Sequence, residues 1–320
     1  MLSTREVYAG FVREGPHSRR NSAHNATTHW MSACDTGRMT LIDPDPTTQE
    51  RRATSRTVLM CRPEFFTVSY RINPWMHPED PTDTGNALEQ WQKLHDLYVT
   101  LGYDVQLIEP VDGLPDMVYA ANGGFVLDGI AYGARFQYPE RGPEGPAYMD
   151  WFRANGFEVR EPVSTNEGEG DFLLVGDTIY AGTGFRSDAA SHDELRKIYD
   201  REVVTLRLVD PSFYHLDTAF AVLDSDGGPA SVAYLPTAFD DASRALLEER
   251  FPDAVHVTGT DAAVLGLNSF SDGRNVVIAS RAEDFERQLS ERGYVPHGVD
   301  LSELLLGGGG VKCCTLELRR

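Results

Sequence analysis

From Thr57 onward, short stretches of alternating apolar and polar residues are each broken by a tight-turn pair and followed by a segment with helical spacing. "MVYAANGGFVLDGIAYGARF" pivots at Asp128-Gly129, "DFLLVGDTIYAGTGFR" at Gly176-Asp177, "TAFAVLDSDGGPASVAYLP" at Asp226-Gly227-Gly228 and "LNSFSDGRNVVIAS" at Asp272-Gly273. Such pairs between alternating apolar positions predict β-hairpins. Leu88, Trp91, Leu94 and Leu101 line one face of "GNALEQWQKLHDLYVTLG", as do Leu195, Ile198 and Tyr199 in "SHDELRKIYDRE" and Leu246 and Leu247 in "DDASRALLEERF". "SRAEDFERQLSERG" carries Ser280 and Glu283 at capping-box spacing, with Gly293 as a stop. A further strand follows each helix: "DVQLIEP", "FEVREP", "VVTLRLVD", "AVHVTG" and "YVPHGVD".

The repeat is therefore a ββαβ unit. The first unit, "TVLMCRP", helix and "DVQLIEP", lacks its hairpin partner, and the C-terminal "VKCCTLEL" is free to supply it. Five units of roughly 40 to 50 residues imply a closed ring or a solenoid of similar modules. Residues 1–56 are polar and aperiodic, rich in Ser, Thr, Arg and Pro. They are predicted to be a disordered or loosely attached extension, leaving 57–320 as one catalytic domain.

Composition narrows the partners. Residues 57–320 hold 43 acidic against 21 basic side chains. Nucleic acid is thereby excluded as a partner, since phosphate recognition draws on clustered Lys and Arg, and a cationic small molecule is favoured in a general way. No apolar run approaches the length of about twenty residues that crosses a membrane, and the N-terminus lacks the apolar block of a secretory signal, so cytoplasm is the default location. The four cysteines, Cys34, Cys61, Cys313 and Cys314, match no metal-ligand spacing, and no cofactor-binding motif stands in a strand-turn-helix setting. Neither metal nor cofactor is expected. Oligomeric state is not written in the sequence, and a homo-oligomer stays open.

Polar outliers recur at the same end of successive units: Asp116 and Asn122, Arg135, then Glu167, Glu169 and Asp171, then Arg186, His215 and Asp217, and the closing "GGGGVKCC". Singly, each has an ordinary structural reading. Jointly, a thiol, an imidazole, a neighbouring carboxylate and two arginines suit nucleophilic catalysis by cysteine. Strand alternation predicts that Cys313 and Cys314 face opposite ways, so that only one looks into the site.

The ordered segments "YRINPWM", "EQWQ", "PDMVYAANGGFVL", "GARFQYPER", "EGEGD", "AGTGFRS", "FYHLDTAF" and "GGGVKCCTL" resemble the guanidine-modifying superfamily of arginine deiminases, dimethylargininases, amidinotransferases and arginine dihydrolases. The likeness runs from about residue 57 to the C-terminus and is greatest to the bacterial arginine dihydrolases. It implies a five-bladed α/β propeller of pentein type. It also implies Cys313 as nucleophile, His215 as general acid and base, and Glu167 as the carboxylate of the triad, although "EGEGD" leaves Glu169 as the other candidate. Asp217 and Asn122 would contact the guanidinium with Asp116 nearby, and Arg135 and Arg186 would hold the substrate carboxylate.

Substrate class follows from donor counting. Asp217 can accept two hydrogen bonds from an unsubstituted terminal nitrogen, which favours free arginine over dimethylarginine. Asn122, an amide that both donates and accepts, suits a neutral ureido group and hence a second hydrolysis. The expected activity is therefore arginine dihydrolase, forming ornithine, or arginine deiminase, forming citrulline. Dimethylargininase and amidinotransferase are the alternatives.

Overall fold

The structure, a computed structural model, describes residues 51–226 and 228–320. The first unit comprises β1 (Thr57–Cys61), α1 (Thr84–Thr100) and β2 (Asp104–Ile108). The second comprises β3 (Gly124–Leu127), β4 (Ile130–Gly133), α2 (Glu144–Ala154) and β5 (Glu158–Arg160). Next come β6 (Phe172–Val175), β7 (Thr178–Thr183), α3 (Ala189–Tyr199) and β8 (Val203–Arg207), then β9 (Phe220–Asp224), β10 (Ser231–Tyr234), α4 (Asp241–Arg250) and β11 (Val255–His256). A short helix α5 (Gly259–Ala262) leads into β12 (Phe270–Ser271), β13 (Asn275–Ala279), α6 (Glu283–Glu291) and β14 (Val295–Val299), and α7 (Ser302–Leu305) precedes β15 (Leu316–Glu317).

These strands make five separate three-stranded sheets, giving a mixed α/β architecture. In the four complete units the hairpin is antiparallel and its second strand pairs parallel with the strand after the helix, as β3-β4-β5 shows. A parallel pair needs a crossover, and the helix supplies it. The turn residues act as their φ angles require: Asp128 and Gly129 both take positive φ, 52° and 76°, as a two-residue type I′ hairpin demands. In the first unit the missing partner of β1 is β15, paired antiparallel through Val58 with Glu317 and Leu59 with Leu316. The last strand thus completes the first sheet, as the repeat count implies. The helices bury the faces their spacing marks, with Trp91 and Leu94 of α1, Leu195 of α3 and Leu247 of α4 all buried.

Three local expectations change. The capping box at Ser280 does not form, because α6 begins at Glu283 and Ala282 occupies its cap without a side-chain bond. Instead Asp261 of α5 takes the Phe285 amide at 2.7 Å, a buried carboxylate at a helix N-terminus. The segment expected as the strand "VKCCTLEL" is strand only at Leu316–Glu317. Residues 311–314 form turns, with Cys314 N–H donating to Gly310 O at 3.2 Å and Thr315 N–H to Lys312 O at 2.9 Å, so strand alternation does not set the directions of the two thiols. Residues 51–56, which the sequence reading places in the extension, bond to the body: Arg51 to Asp224 at 3.3 Å and Thr54 N–H to Asp272 O at 2.8 Å. The remainder of that extension lies outside the described residues.

The four-glycine tract is tightly enclosed. A Cβ on Gly307 would lie 2.1 Å from the Tyr119 hydroxyl and one on Gly309 would lie 2.2 Å from the same ring. Tyr119 in turn donates to Leu304 O at 2.7 Å. The tract is thus a close approach of backbone to an aromatic ring, a role for glycine's missing side chain rather than for flexibility.

Candidate active site

Three of the units bring short 3₁₀ turns to the site, each entering the unit's first strand. Ala120–Gly123 precedes β3, Gly168–Gly170 precedes β6 and Leu216–Thr218 precedes β9. One turn of this kind leaves side chains at its start and middle pointing different ways, and that separates Glu167, the expected triad carboxylate, from Glu169, the other candidate. Glu167, at the cap of its turn, accepts from His215 Nε2 at 2.8 Å. Glu169, inside the turn, accepts from Lys312 Nζ at 2.7 Å and from the Glu317 amide at 2.9 Å, and it also pairs with Arg319. Gly170 follows because a Cβ there would lie 2.5 Å from Asn122 Nδ2 and 3.1 Å from the His215 ring.

Cys313, His215, Glu167, Asp217, Asn122, Asp116 and Arg186 are all buried. The Cys313 thiol donates to Asp217 Oδ2 at 3.4 Å. The Glu167 carboxylate is the hub, since its Oε2 also receives Arg186 Nη1 at 2.8 Å and lies 4.0 Å from Arg141 Nη1. Arg186 is sandwiched between the rings of Tyr138 and Tyr214, at 4.8 and 4.5 Å, and donates its other end to Ile72 O at 3.0 Å. Among the described residues, three buried polar atoms at the site have no partner: His215 Nδ1, Asp217 Oδ1 and Asp116 Oδ1. These are the positions at which an incoming molecule can complete hydrogen bonds.

Arg135 stands apart. It is exposed, its guanidinium bonds Val163 O, and it is not brought together with Arg186. Arg141, at the end of the same "GARFQYPER" stretch, enters the buried cluster instead. It clamps Glu144 through two bonds of 2.9 and 2.7 Å and donates to Asn122 Oδ1 at 2.7 Å. The sequence reading missed it because a loop arginine gives no sign of its aim. The one available clue is Glu144 three residues on, a spacing that permits a paired fork. A second consequence concerns Asn122: its oxygen already accepts from Arg141, which fixes the orientation of the carboxamide. The other addition is Asn268, which donates from Nδ2 to Cys313 Sγ at 3.1 Å.

The electrostatics follow burial and pairing. Burial alone would raise the Glu167 carboxyl, but Arg186, His215 and Arg141 more than offset it and hold it well below the usual range. Burial lifts Asp217 to about 7 against the pull of Lys312, and burial together with the Asp217 charge pushes the Cys313 thiol well above its ordinary value. The raised Asp217 value has a stability sign. The folded chain keeps a proton there that the unfolded chain releases above about pH 4, so this group destabilises the fold progressively from about pH 4 to pH 7. Asp217→Asn is therefore expected to unfold at the same temperature as the parent near pH 4 and several degrees higher at pH 8. Scanning calorimetry at the two pH values checks this, and equal differences at both would contradict it.

The cluster is almost wholly buried. Residues 62–83, which link β1 to α1 without helix or strand, contribute to its cover: Tyr70 donates to Asp116 Oδ2 at 2.9 Å and Trp75 Nε1 to Ser212 O at 2.9 Å. Among the described residues, no group of three His, Cys, Asp or Glu side chains is arranged to hold a metal ion, and no helix is long and apolar enough to cross a membrane.

Five small mixed sheets, with a buried thiol, a carboxylate-bound imidazole and unpartnered carboxylate oxygens at the strand entries, define an α/β protein of the pentein class. The comparisons carry the assignment further. The chain is 51% identical over 268 residues to a Mycobacterium tuberculosis N(G),N(G)-dimethylarginine dimethylaminohydrolase, covering 84% of this chain and 87% of the relative. It is 38% identical over 268 residues to a Synechocystis bifunctional arginine dihydrolase/ornithine cyclodeaminase, covering 82% of this chain but 37% of that longer protein. The substrate-bound N-terminal domain of the cyanobacterial arginine dihydrolase ArgZ superposes with a TM-score of 0.78 at 37% identity, covering 83% of this chain and 98% of that one. No sequence-family model matches. The chain belongs to the guanidine-modifying family that includes the dimethylargininases and arginine dihydrolases.

Proposed function

We propose that this protein is a cysteine-dependent amidinohydrolase whose preferred substrate is dimethylarginine, released as citrulline and dimethylamine. The observation that carries the preference is the 51% identity to a dimethylargininase over most of both chains, against 38% to the arginine dihydrolases. Two features of the site remove the grounds for preferring free arginine. Asp217 accepts from the thiol at Oδ2 and leaves Oδ1 without a partner, and a dimethylated guanidinium still offers this carboxylate an unsubstituted NH₂ and its chain N–H. Asn122 already accepts from Arg141 Nη1, so its carboxamide is oriented by a buried guanidinium and is not there for a ureido substrate alone. Arginine dihydrolysis is the second reading, favoured by the likeness to the ArgZ domain. We further infer that the five units are the blades of an α/β propeller, a reading supported by the pairing of β15 with β1 and by a bridge from Leu318 to Val126 of β3.

In this reading residues 62–83 move to admit the substrate. The Arg186 Nη2 donor now given to Ile72 O then becomes free for its carboxylate. The guanidinium docks on Asp217 Oδ1, with Asp116 beside it. Its positive charge stabilises both the Asp217 carboxylate and the Cys313 thiolate against burial. The thiol proton passes to His215 Nδ1, and the thiolate bonds to the guanidinium carbon as the C=N π pair moves onto nitrogen. His215, whose Nε2–H is tied to Glu167, presents Nδ1, and its proton passes to dimethylamine as the C–N bond breaks. A water then gives its proton to the same nitrogen and attacks the thiouronium carbon. The C–S bond breaks as the new C–OH gives up its proton to solvent, and citrulline leaves with the thiolate and the protonated His215 restored. This chemistry needs no cofactor, its partner is a small molecule, and we place it in the cytoplasm.

Product analysis tests both readings at once. With dimethylarginine and arginine offered separately, the expected outcome is citrulline and dimethylamine from the former at a kcat/KM at least about tenfold above any turnover of arginine. Two ammonia per ornithine from arginine, with dimethylarginine inert, would replace this reading by the dihydrolase. Transfer to added glycine would replace it by an amidinotransferase.

A further inference from the structure

Each unit sends a polar side chain into the site from the turn that leads into a first strand. Asn122 does so before β3, Glu167 before β6, His215 and Asp217 before β9, and Cys313 before β15. The corresponding residue before β12 is Asn268, buried and two residues ahead of the strand, in the "LNSFSDG" stretch whose hairpin the sequence predicts without giving the asparagine a role.

Asn268 is bound to the cysteine loop at three points. Its main-chain oxygen accepts from Lys312 N–H at 3.1 Å, its Oδ1 accepts from Cys313 N–H at 3.0 Å, and its Nδ2 donates to Cys313 Sγ at 3.1 Å. The second hydrogen of that amide goes to Asp217 O at 3.2 Å, so the carboxamide cannot rotate without breaking three bonds. Gly310 leaves it room, since a Cβ there would approach Oδ1 to 3.0 Å. An N–H aimed at sulfur is worth roughly twice as much to the thiolate as to the neutral thiol, because the acceptor is then charged. Unlike a lysine in the same place, a carboxamide does this without repelling a cationic substrate.

We propose that Asn268 is a catalytic residue: its amide N–H stabilises the Cys313 thiolate and fixes the direction in which the sulfur attacks. The proposal rests on Cys313 being the nucleophile of the reaction proposed above, but it can be tested without any substrate. Asn268→Asp keeps the acceptor that holds the Cys313 amide and replaces the N–H donor by an oxygen. Cys313 labelling by iodoacetamide, in which the thiolate displaces iodide, is followed across pH 6 to 10 by peptide mass spectrometry.

The expected result is a midpoint raised by about one pH unit or more, with labelling at pH 8 slowed about tenfold, in a variant whose circular dichroism matches the parent. A labelling profile that coincides with the parent's overturns the proposal, as does a parent Cys313 that never labels. If Asn268→Asp does not fold, Asn268→Ala carries the same two outcomes without introducing charge. A shifted midpoint in a protein that turns over no guanidine would uphold the role of Asn268 while removing the proposed reaction.

Discussion

Cys313→Ser is expected to reduce guanidine hydrolysis by at least about four orders of magnitude with little change in thermal stability, whereas Cys314→Ser should do the reverse. The asymmetry follows from what each sulfur touches. Cys313 Sγ sits between Asp217 and the Asn268 amide, both polar, so a hydroxyl there finds hydrogen bonds, but it is too weak a nucleophile to attack a delocalised guanidinium. Cys314 is wholly buried in the apolar cluster with Trp91, Leu94 and Tyr98. A serine hydroxyl placed there without a partner costs about 1–3 kcal/mol, while turnover by the folded fraction should stay within about threefold of the parent. Steady-state rates and denaturant midpoints on the two variants check both halves. Undiminished turnover by Cys313→Ser would leave the site as a binding pocket.

Glu167→Gln should be the next most damaging change, lowering kcat/KM by about three to four orders of magnitude. The glutamate holds His215 in the tautomer that leaves Nδ1 free, and a glutamine amide can turn a donor toward the imidazole instead. It also removes the carboxylate that faces Arg186 and Arg141, two buried guanidiniums, so stability falls as well. The sign with pH is fixed by the lowered carboxyl. Glu167 contributes stability above the unfolded-state value near pH 4.5 and loses it as acid approaches its lower folded value, so the deficit of the variant should shrink toward low pH. Glu169→Gln is the control. It breaks a buried pairing with Lys312 and Arg319 at a cost of about 3–5 kcal/mol, yet kcat in the folded protein should stay within about tenfold. Equal loss of kcat in the two variants would overturn the separation of their roles.

The repeated unit was legible because its signals are local. A pair such as Asp128-Gly129 fixes a hairpin from two residues, and helical spacing marks Trp91 and Leu94 as a buried face. The closure of β1 by β15 was legible by counting, since one hairpin was missing and one stretch was left over. What escaped depends on distant partners. The choice between Glu167 and Glu169 turns on the 3₁₀ path of three residues, and the aim of Arg141 turns on a buried Asn122 and Glu144. The start of α6 was misjudged because Asp261, far back in the chain, takes the amide that Ser280 was expected to serve. Asn268 was passed over because an asparagine near a turn has an ordinary local explanation, and only its contact with Sγ gives it another.

The pairing of β15 with β1 also orders events at the ribosome. Synthesis runs from β1 toward β15, so the edge of β1 waits unfilled until every intervening unit has emerged. The thiol comes only three residues ahead of the strand that closes it in. If Cys313 is the nucleophile, as proposed above, a nascent chain stays chemically silent until that closing strand is made. The edge of β1 is in that interval the point at which a stalled chain would meet other strands, so β15 guards against aggregation by covering it.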